Sequence, residues 1–379
     1  MRPPPIRTDG SNAFAHFSMT VRVPKILEEV IERNPDYPAA TVAAILELRD
    51  AIRANAAVAP LDFPAPDAAE WESELAGRSW LSTDWFFAEC YVYHRLTAAT
   101  RYWENGRDPF APAKREELAS ARLWTGLEML LEREIEELPE RLHSLIGLAL
   151  WGNRVDLSYA VGSSFGAVGE SDDLLVDDRD WAIERLLTPG AEVHIVADNT
   201  GSELSMDLVL ADALLSGTRA RVSLHVKMHP MFVSDALVVD VWLLLAAMQA
   251  KRAAIGELGS RLVRAFDERR LRILPDPFWN GPRFLWDRAP RIARALDDAT
   301  LVIFKGDANY RRVVGDALWP AETSFAEVTR YFPAPLLCLR TMKSDAVAGL
   351  PPGLAAKLDG VDHDWRINGR RGVIQGSSR

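Results

Sequence analysis

Six short apolar runs in the second half of the chain restrict its fold more than any other feature. They read EVHIVAD (192–198), ARVSLHVK (220–227), LRILPD (271–276), TLVIFKG (300–306), PLLCLRT (335–341) and RGVIQ (371–375). Their centres are continuously apolar rather than alternating, which is the pattern of strands covered on both faces. Segments with helical spacing separate them, roughly 203–216, 235–250, 257–268, 286–297, 307–316 and 322–330. This alternation predicts an α/β fold, a mostly parallel sheet with helices on both faces. The chain before it is different. VPKILEEVIERN, TVAAILELRDAIRANAA, TDWFFAECYVYHRL, REELASARLWTGLEMLLEREIEEL and LPERLHSLIGLALWGN all read as helices, separated by proline-rich breaks. The expected organisation is a helical N-terminal domain over 1–152 and an α/β domain over 153–379 that binds metal and substrate.

Composition narrows the function. With 48% hydrophobic and 26% charged residues the balance is that of an ordinary globular protein. A net charge of −10 argues against a nucleic-acid surface, which needs a basic face. Basic residues gather only at Arg366, Arg370, Arg371 and Arg379, which a frayed or exposed C-terminus would explain. The two cysteines, Cys90 and Cys338, sit in apolar surroundings and read as small buried hydrophobes, so a reducing cytoplasm is expected. The most apolar run, 235–250, is interrupted by Asp235 and Asp240 and is too short for a membrane span. No apolar signal core is visible at the N-terminus.

In a sheet of this kind ligands sit beyond the carboxyl ends of the strands. The polar groups found there are Asp198 and Asn199 after EVHIVAD, Asp307, Asn309, Tyr310 and Arg311 after TLVIFKG, and Arg340 and Lys343 around the end of PLLCLRT. A carboxylate beside an amide at a strand end suits a hard divalent cation, which prefers oxygen ligands. Asp235, placed at the start of the next helix, is the expected third ligand. The plainer alternatives are an Asx-turn at 198–199 and a dipole-favoured aspartate at 235. Thr200 and Glu203 have capping-box spacing, and a helix starting there would aim free N–H groups at an anion. Lys305 can hold a phosphate as a point charge, and Asp307 and Asn309 can bind hydroxyls; ordinary surface charges would look the same. Arg340 and Lys343 suit phosphate, or a salt-bridged sheet edge. Asn153, Arg154 and Asp156 follow a helix at the junction of the two parts, where a cleft or a mere polar helix end is expected.

Several other patterns are weaker. Asp178-x-Asp180 faintly resembles a phosphatase motif but lies in the acidic run ESDDLLVDDRD, read as a solvated loop. VGSSFGAVGE has no P-loop lysine, and Ser163 and Ser164 lie in no GxSxG elbow. The seven histidines show no zinc-protease spacing, and His225 and His229 fall on a strand and a proline turn rather than on one helix face.

Taken together, FAHFSMTVRVPKILEEVIE, WFFAECYVYHRL, LWGNRVDLS, VADNTGSEL, FVSDA, FKGDANYR, LRTMKSD and NGRRGVIQ resemble the damage-control phosphatases, a family once called domain of unknown function 89. The RTxK pattern, Arg340 to Lys343, resembles that of the subfamily acting on sugar phosphates, one member of which bears the name of an acidic-residue methyltransferase. The resemblance covers nearly the whole chain. It implies a helical domain joined to a Rossmann-like α/β/α sandwich. It also implies a divalent metal, Mn²⁺ or Mg²⁺ with Co²⁺ and Ni²⁺ as alternatives, bound by Asp198, Asn199 and Asp235. Glu203, Asp307 to Arg311 and Lys343 are placed around the substrate, with Lys305 and residues 152–156 as neighbours. The family's KGDLNYR is here KGDANYR and its DNAGFEL is DNTGSEL, so Ala308 and Ser202 alter pocket shape and leave the polar groups in place.

The implied reaction is metal-dependent hydrolysis of a sugar phosphate such as fructose 1-phosphate or fructose 6-phosphate. Either water or Asp198 would be the nucleophile, and Lys305 or Lys343 would offset the phosphoryl charge. No nucleic-acid or membrane partner is expected. Two other readings stand beside it. One is carboxyl methylation with S-adenosylmethionine, against which the glycine-rich loop before an acidic strand end is missing. The other is a phosphosugar-binding protein without turnover.

Overall fold

The computed structural model describes every residue except 1, 62–64, 69–70, 72–73, 134–136, 153–172 and 379. Seven strands form one sheet: β1 (Leu174–Asp177), β2 (Glu192–Val196), β3 (Arg221–Val226), β4 (Leu271–Pro275), β5 (Leu301–Lys305), β6 (Leu336–Thr341) and β7 (Gly372–Ser377). Their order is β1-β7-β6-β5-β2-β3-β4. From β6 to β4 all neighbours are parallel, whereas β7 runs antiparallel to β6 and carries β1 parallel to itself at the edge. All six apolar runs are strands. The seventh, β1, lies in the acidic run read as a loop, because only Leu174, Leu175 and Val176 there are apolar.

The continuous runs are explained by burial on both faces. Val193, Ile195, Leu301, Ile303, Leu337 and Leu339 face one core, together with helices Ala121–Leu131, Leu138–Trp151, Ser202–Gly217, Val238–Gln249 and Ala253–Asp267. Val196, Val302, Phe304, Leu336 and Cys338 face a second core with helices Val23–Arg33, Ala39–Arg53, Trp85–Ala99 and Gly306–Val314. Each fully buried Val, Ile or Leu contributes about 1.5–3 kcal/mol relative to exposure, so two filled faces fix the strand register.

Both cysteines are buried, as read from their surroundings. The C-terminal segment is not frayed. Arg371 is buried against Asp362, Arg370 pairs with Asp173, and β7 lies inside the sheet. Among the described residues no helix is long and apolar enough to cross a membrane.

Candidate active site

The strand order reverses between β2 and β5. The chain leads from β2 outward through β3 to β4, then returns beside β2 as β5 and leads the other way to β6. The crevice outside the carboxyl ends at such a switch is where an open α/β sheet leaves room for a ligand. A cleft of about 210 Å³ opens there. Its sheet side carries Asp198 and Asn199 after β2, Ser234 and Asp235 after β3, Asp307, Ala308 and Arg311 after β5, and Lys343 after β6.

Asp235 does not open a helix. The helix begins at Val238, capped by Leu237 with Asp240. Asp235 instead lies in the connecting loop, which is bridged to the end of β2. Asn199 and Asp235 face each other in an isolated antiparallel bridge, Ala236 N donates to Asp198 O at 2.8 Å, and Thr200 N donates to Ser234 O at 2.8 Å. The bridge sets the two carboxylates side by side. Upstream in the same loop Phe232 and Val233 have φ of 44° and 68°. A β-branched residue there costs on the order of 1–3 kcal/mol, and such strain gathers at functional sites. Gly306, at φ 82°, is obligatory for a different reason: a Cβ would sit 2.0 Å from Asp198 Oδ2.

Burial, followed by the charges of Asp235 and Glu203, raises the Asp198 carboxyl well above its ordinary range. Burial likewise lifts Asp235 to about 6, with Lys227 opposing from 3.2 Å. Asp198 makes no ion pair with a described residue. Two neighbouring buried carboxylates, one of them without an ion pair among the described residues, form a site that suits a divalent cation. Asn199 directs its Nδ2 to Asp198 Oδ2 (2.8 Å) and Glu203 Oε2 (2.9 Å), while its Oδ1 accepts from Ser234. Its oxygen joins the carboxylates only if the amide turns over.

The remaining candidates divide into cleft and support. Lys305 is fully buried and donates to Glu203 (2.9 Å) and Asp207 (2.7 Å), whose pull outweighs burial and holds its pKa up. Arg340 donates to Asp307 Oδ1 (2.7 Å) and to Ser344, and Asn309 to the carbonyls of Ala197 and Lys305. Tyr310 bonds Ala348. These side chains brace the strand ends and do not line the cleft. Arg311 reaches the cleft but is neutralised by Glu89 and Asp316, each 2.7 Å away. Lys343 is exposed, and its ammonium has no acidic partner among the described residues. Asn153, Arg154 and Asp156 lie outside the described residues.

Thr200 does not cap the helix as its spacing suggested. The N-cap is Gly201, and Ser202 N donates to Glu117 Oε1 at 2.8 Å. The anion at this helix start is the protein's own carboxylate.

The opposite wall of the cleft comes from the N-terminal helices: Ser18, Arg22, Val23 and Ile26, then Trp85, Glu89 and Tyr93. Sequence reasoning assigned none of these a role, although FSMTVRVP and WFFAECYVY carry them. Ser18–Arg22 is a π-helical turn, a geometry that recurs at functional sites and has no local sequence signature. Arg22 is exposed and makes no ion pair with the described residues.

Fold and cleft together define an open α/β protein whose acidic strand-end pocket faces Arg22 and Lys343, neither of them in an ion pair among the described residues. Residues 18–358 match the damage-control phosphatase ARMT1-like domain, and the chain belongs to that family. It is 31% identical to damage-control phosphatase ARMT1 of Danio rerio, covering 97% of this chain and 95% of the relative. The corresponding protein of Xenopus laevis is 30% identical over 98% of each, and that of Homo sapiens 28% over 96% of each. A crystal structure of a DUF89 family protein from Pyrococcus horikoshii shares the fold, with a TM-score of 0.53 at 15% identity over 95% of this chain and 97% of the other.

Proposed function

We propose that the protein is a metal-dependent phosphatase that hydrolyses small sugar phosphates, a hexose phosphate such as fructose 1-phosphate or fructose 6-phosphate among them. The observation that carries this reading is the meeting in one cleft of buried Asp198 and Asp235 with the cations Arg22 and Lys343, neither of which makes an ion pair among the described residues. Asp198, Asp235 and the Asn199 oxygen would hold a divalent ion, Mn²⁺ or Mg²⁺ or else Co²⁺ or Ni²⁺. When bound, that ion supplies Lewis-acid polarisation of the phosphoryl oxygens.

The chain's own residues do the rest. Lys343 and Arg22 face the phosphoryl group from two sides and offset charge spread over its oxygens in the transition state. Asp198 orients the attacking water and receives its proton as the new P–O bond forms; the ester P–O bond breaks and the departing sugar oxygen takes a proton from solvent. Asp307 has Oδ1 committed to Arg340 and Ser344, which leaves Oδ2 to accept from a sugar hydroxyl. Lys305 holds Glu203 and Asp207, and Glu203 accepts from the Asn199 amide, a bond that the turn-over of that amide toward the ion would give up.

The carboxyl-methyltransferase reading is disfavoured. The helix start after β2, where a nucleotide-like cofactor would approach, is filled by Glu117, and a Cβ at Gly201 would meet that carboxylate at 2.1 Å. A phosphosugar-binding protein without turnover would use the same cleft.

The test is phosphate release from a panel of sugar phosphates with each metal, against a chelator control and Asp198→Asn. Metal-dependent release that disappears in the variant is expected. Undiminished release after chelation would refute the metal, and ligand binding with no release from folded, metal-loaded protein would favour the binding-only reading.

A further inference from the structure

Away from the cleft, three residues from distant parts of the chain converge. Asp67 lies in the segment between helices Ala39–Arg53 and Trp85–Ala99, His94 is on the latter helix, and His229 follows β3. One ligand atom from each lies within 4.8 Å of the others, and all three side chains are buried. His94 Nε2 is 3.7 Å from Asp67 Oδ1, and His229 Nε2 is 3.8 Å from Asp67 Oδ2. These separations are too long for hydrogen bonds. They run to the two different oxygens of the carboxylate, and they are a few tenths of an ångström longer than the roughly 3.4 Å ligand-to-ligand spacing around an ion bound at about 2.0–2.1 Å, so the three side chains would draw in slightly around it.

We propose that Asp67, His94 and His229 form a second metal site, which takes a Zn²⁺-class ion and ties the N-terminal helices to the loop carrying Asp235.

Three observations support it. Both nitrogens of His94, Nε2 of His229 and Oδ1 of Asp67 are buried without a hydrogen-bond partner among the described residues. Several such orphans together are unusual in a native fold and costly unless something binds them. His229 Nδ1 meets the Pro230 carbonyl at 3.2 Å, which fixes the proton there and leaves the Nε2 lone pair directed at Asp67. Trp71 Nε1 donates to Asp67 Oδ2 at 3.2 Å, and the Trp71 ring stacks on His94 with centroids 4.8 Å apart, so the ligands are oriented from outside. Two imidazoles and one carboxylate suit Zn²⁺ or Co²⁺ rather than Mg²⁺ or Ca²⁺, which favour oxygen. Water would complete a four-coordinate shell.

The site's value lies in its position. His229 is two residues past Lys227, the partner of Asp235, and three before the left-handed Phe232–Val233 turn. An ion here would hold that strained turn in place from behind the cleft.

The test uses full-length Asp198→Asn protein, in which the cleft is disabled for metal, stripped by chelation and then titrated with Co²⁺. One tightly held equivalent is expected, with the intense visible absorption of four-coordinate Co²⁺. His94→Gln and His229→Gln, each added to that background, should lower its affinity at least tenfold. No bound equivalent, or binding unchanged by both substitutions, overturns the proposal. If the histidine variants fail to fold, X-ray absorption of Zn²⁺-loaded Asp198→Asn decides: two imidazole ligands uphold the site, and fewer refute it.

Discussion

The two walls of the cleft are built on different principles. The sheet wall stands on strand ends whose positions are set by register, with every charge except Lys343 anchored to a buried partner or to neighbouring backbone. The helical wall is a π-helical turn, the start of the helix that continues from it and one face of helix Trp85–Ala99, and its Arg22 projects without an acidic partner among the described residues. The difference suggests a division of labour. The sheet holds a fixed cluster of oxygens, while the helices offer an exposed cation together with Trp85 and Tyr93. Arg311 joins the two, lying 3.8 Å over Trp85 while its fork pairs with Asp316, just past the end of its own helix, and with Glu89 from the other wall.

The strongest way to break this comparison is at Asp198. Asp198→Asn should lower kcat by roughly 10³-fold or more while the protein stays folded, because a carboxylate central to the metal cluster is lost. Phosphate release and metal titration read both parts, and near-normal turnover would remove the sheet wall from catalysis. Lys305→Met comes next and acts on stability. It leaves Glu203 and Asp207 buried without their cation, which should cost roughly 3–5 kcal/mol in urea unfolding. If Lys305 instead contacted substrate, KM would rise and the unfolding midpoint would hold.

Arg22→Ala probes the helical wall. KM should rise on the order of tenfold to a hundredfold, the worth of a charge-assisted contact, with no loss of stability. An unchanged KM would leave Lys343 as the sole phosphate cation. The smallest effect concerns pH. With the folded-state pKa of Asp235 raised from 3.8 to about 6, and Asp198 raised in the same direction, these two carboxyls bind more protons in the folded metal-free protein than in the unfolded chain across that window. The stability they contribute should therefore be lost as pH rises from about 4 to about 6, against the opposite contribution of the buried His94, His194 and His225, and Asp235→Asn should remove it. A saturating divalent ion should flatten or reverse the trend, and thermal melts at each pH with and without Mn²⁺ check this.

How much of this was legible follows from the same contrast. EVHIVAD, TLVIFKG and PLLCLRT announce strands and their polar ends by local pattern alone, so Asp198, Asn199, Asp307 and Lys343 could be placed at one edge before any coordinates. The orientation of each side chain was not legible. Lys305 and Arg340 sit in strands buried on both faces, where alternation gives no clue, and both turn inward to carboxylates. Glu117, which occupies the helix start after β2, is far away in sequence and carries no cue. The helical wall was hidden because π-helical turns and inter-layer packing lack short-range signals. Asp67, His94 and His229 were missed for a similar reason: ligand spacing in sequence is informative only when one helix or hairpin carries the ligands, and here three separate segments do. The acidic run around β1 misled in the opposite direction, since a three-residue apolar centre is too short to stand out from its charges.

The place of β7 has a consequence for biosynthesis. It is the last of the seven strands to be made, yet it lies second in the sheet, between β1 and β6. While the ribosome is still reading past β6, that nascent edge, next to Arg340 and Lys343, has no neighbour and β1 has nothing to join. An open strand edge is a template for intermolecular pairing. Chains stalled or cleaved before β7 should therefore fall to aggregation or chaperone capture rather than persist as partly active enzyme, so that completion of synthesis becomes a checkpoint on the cleft.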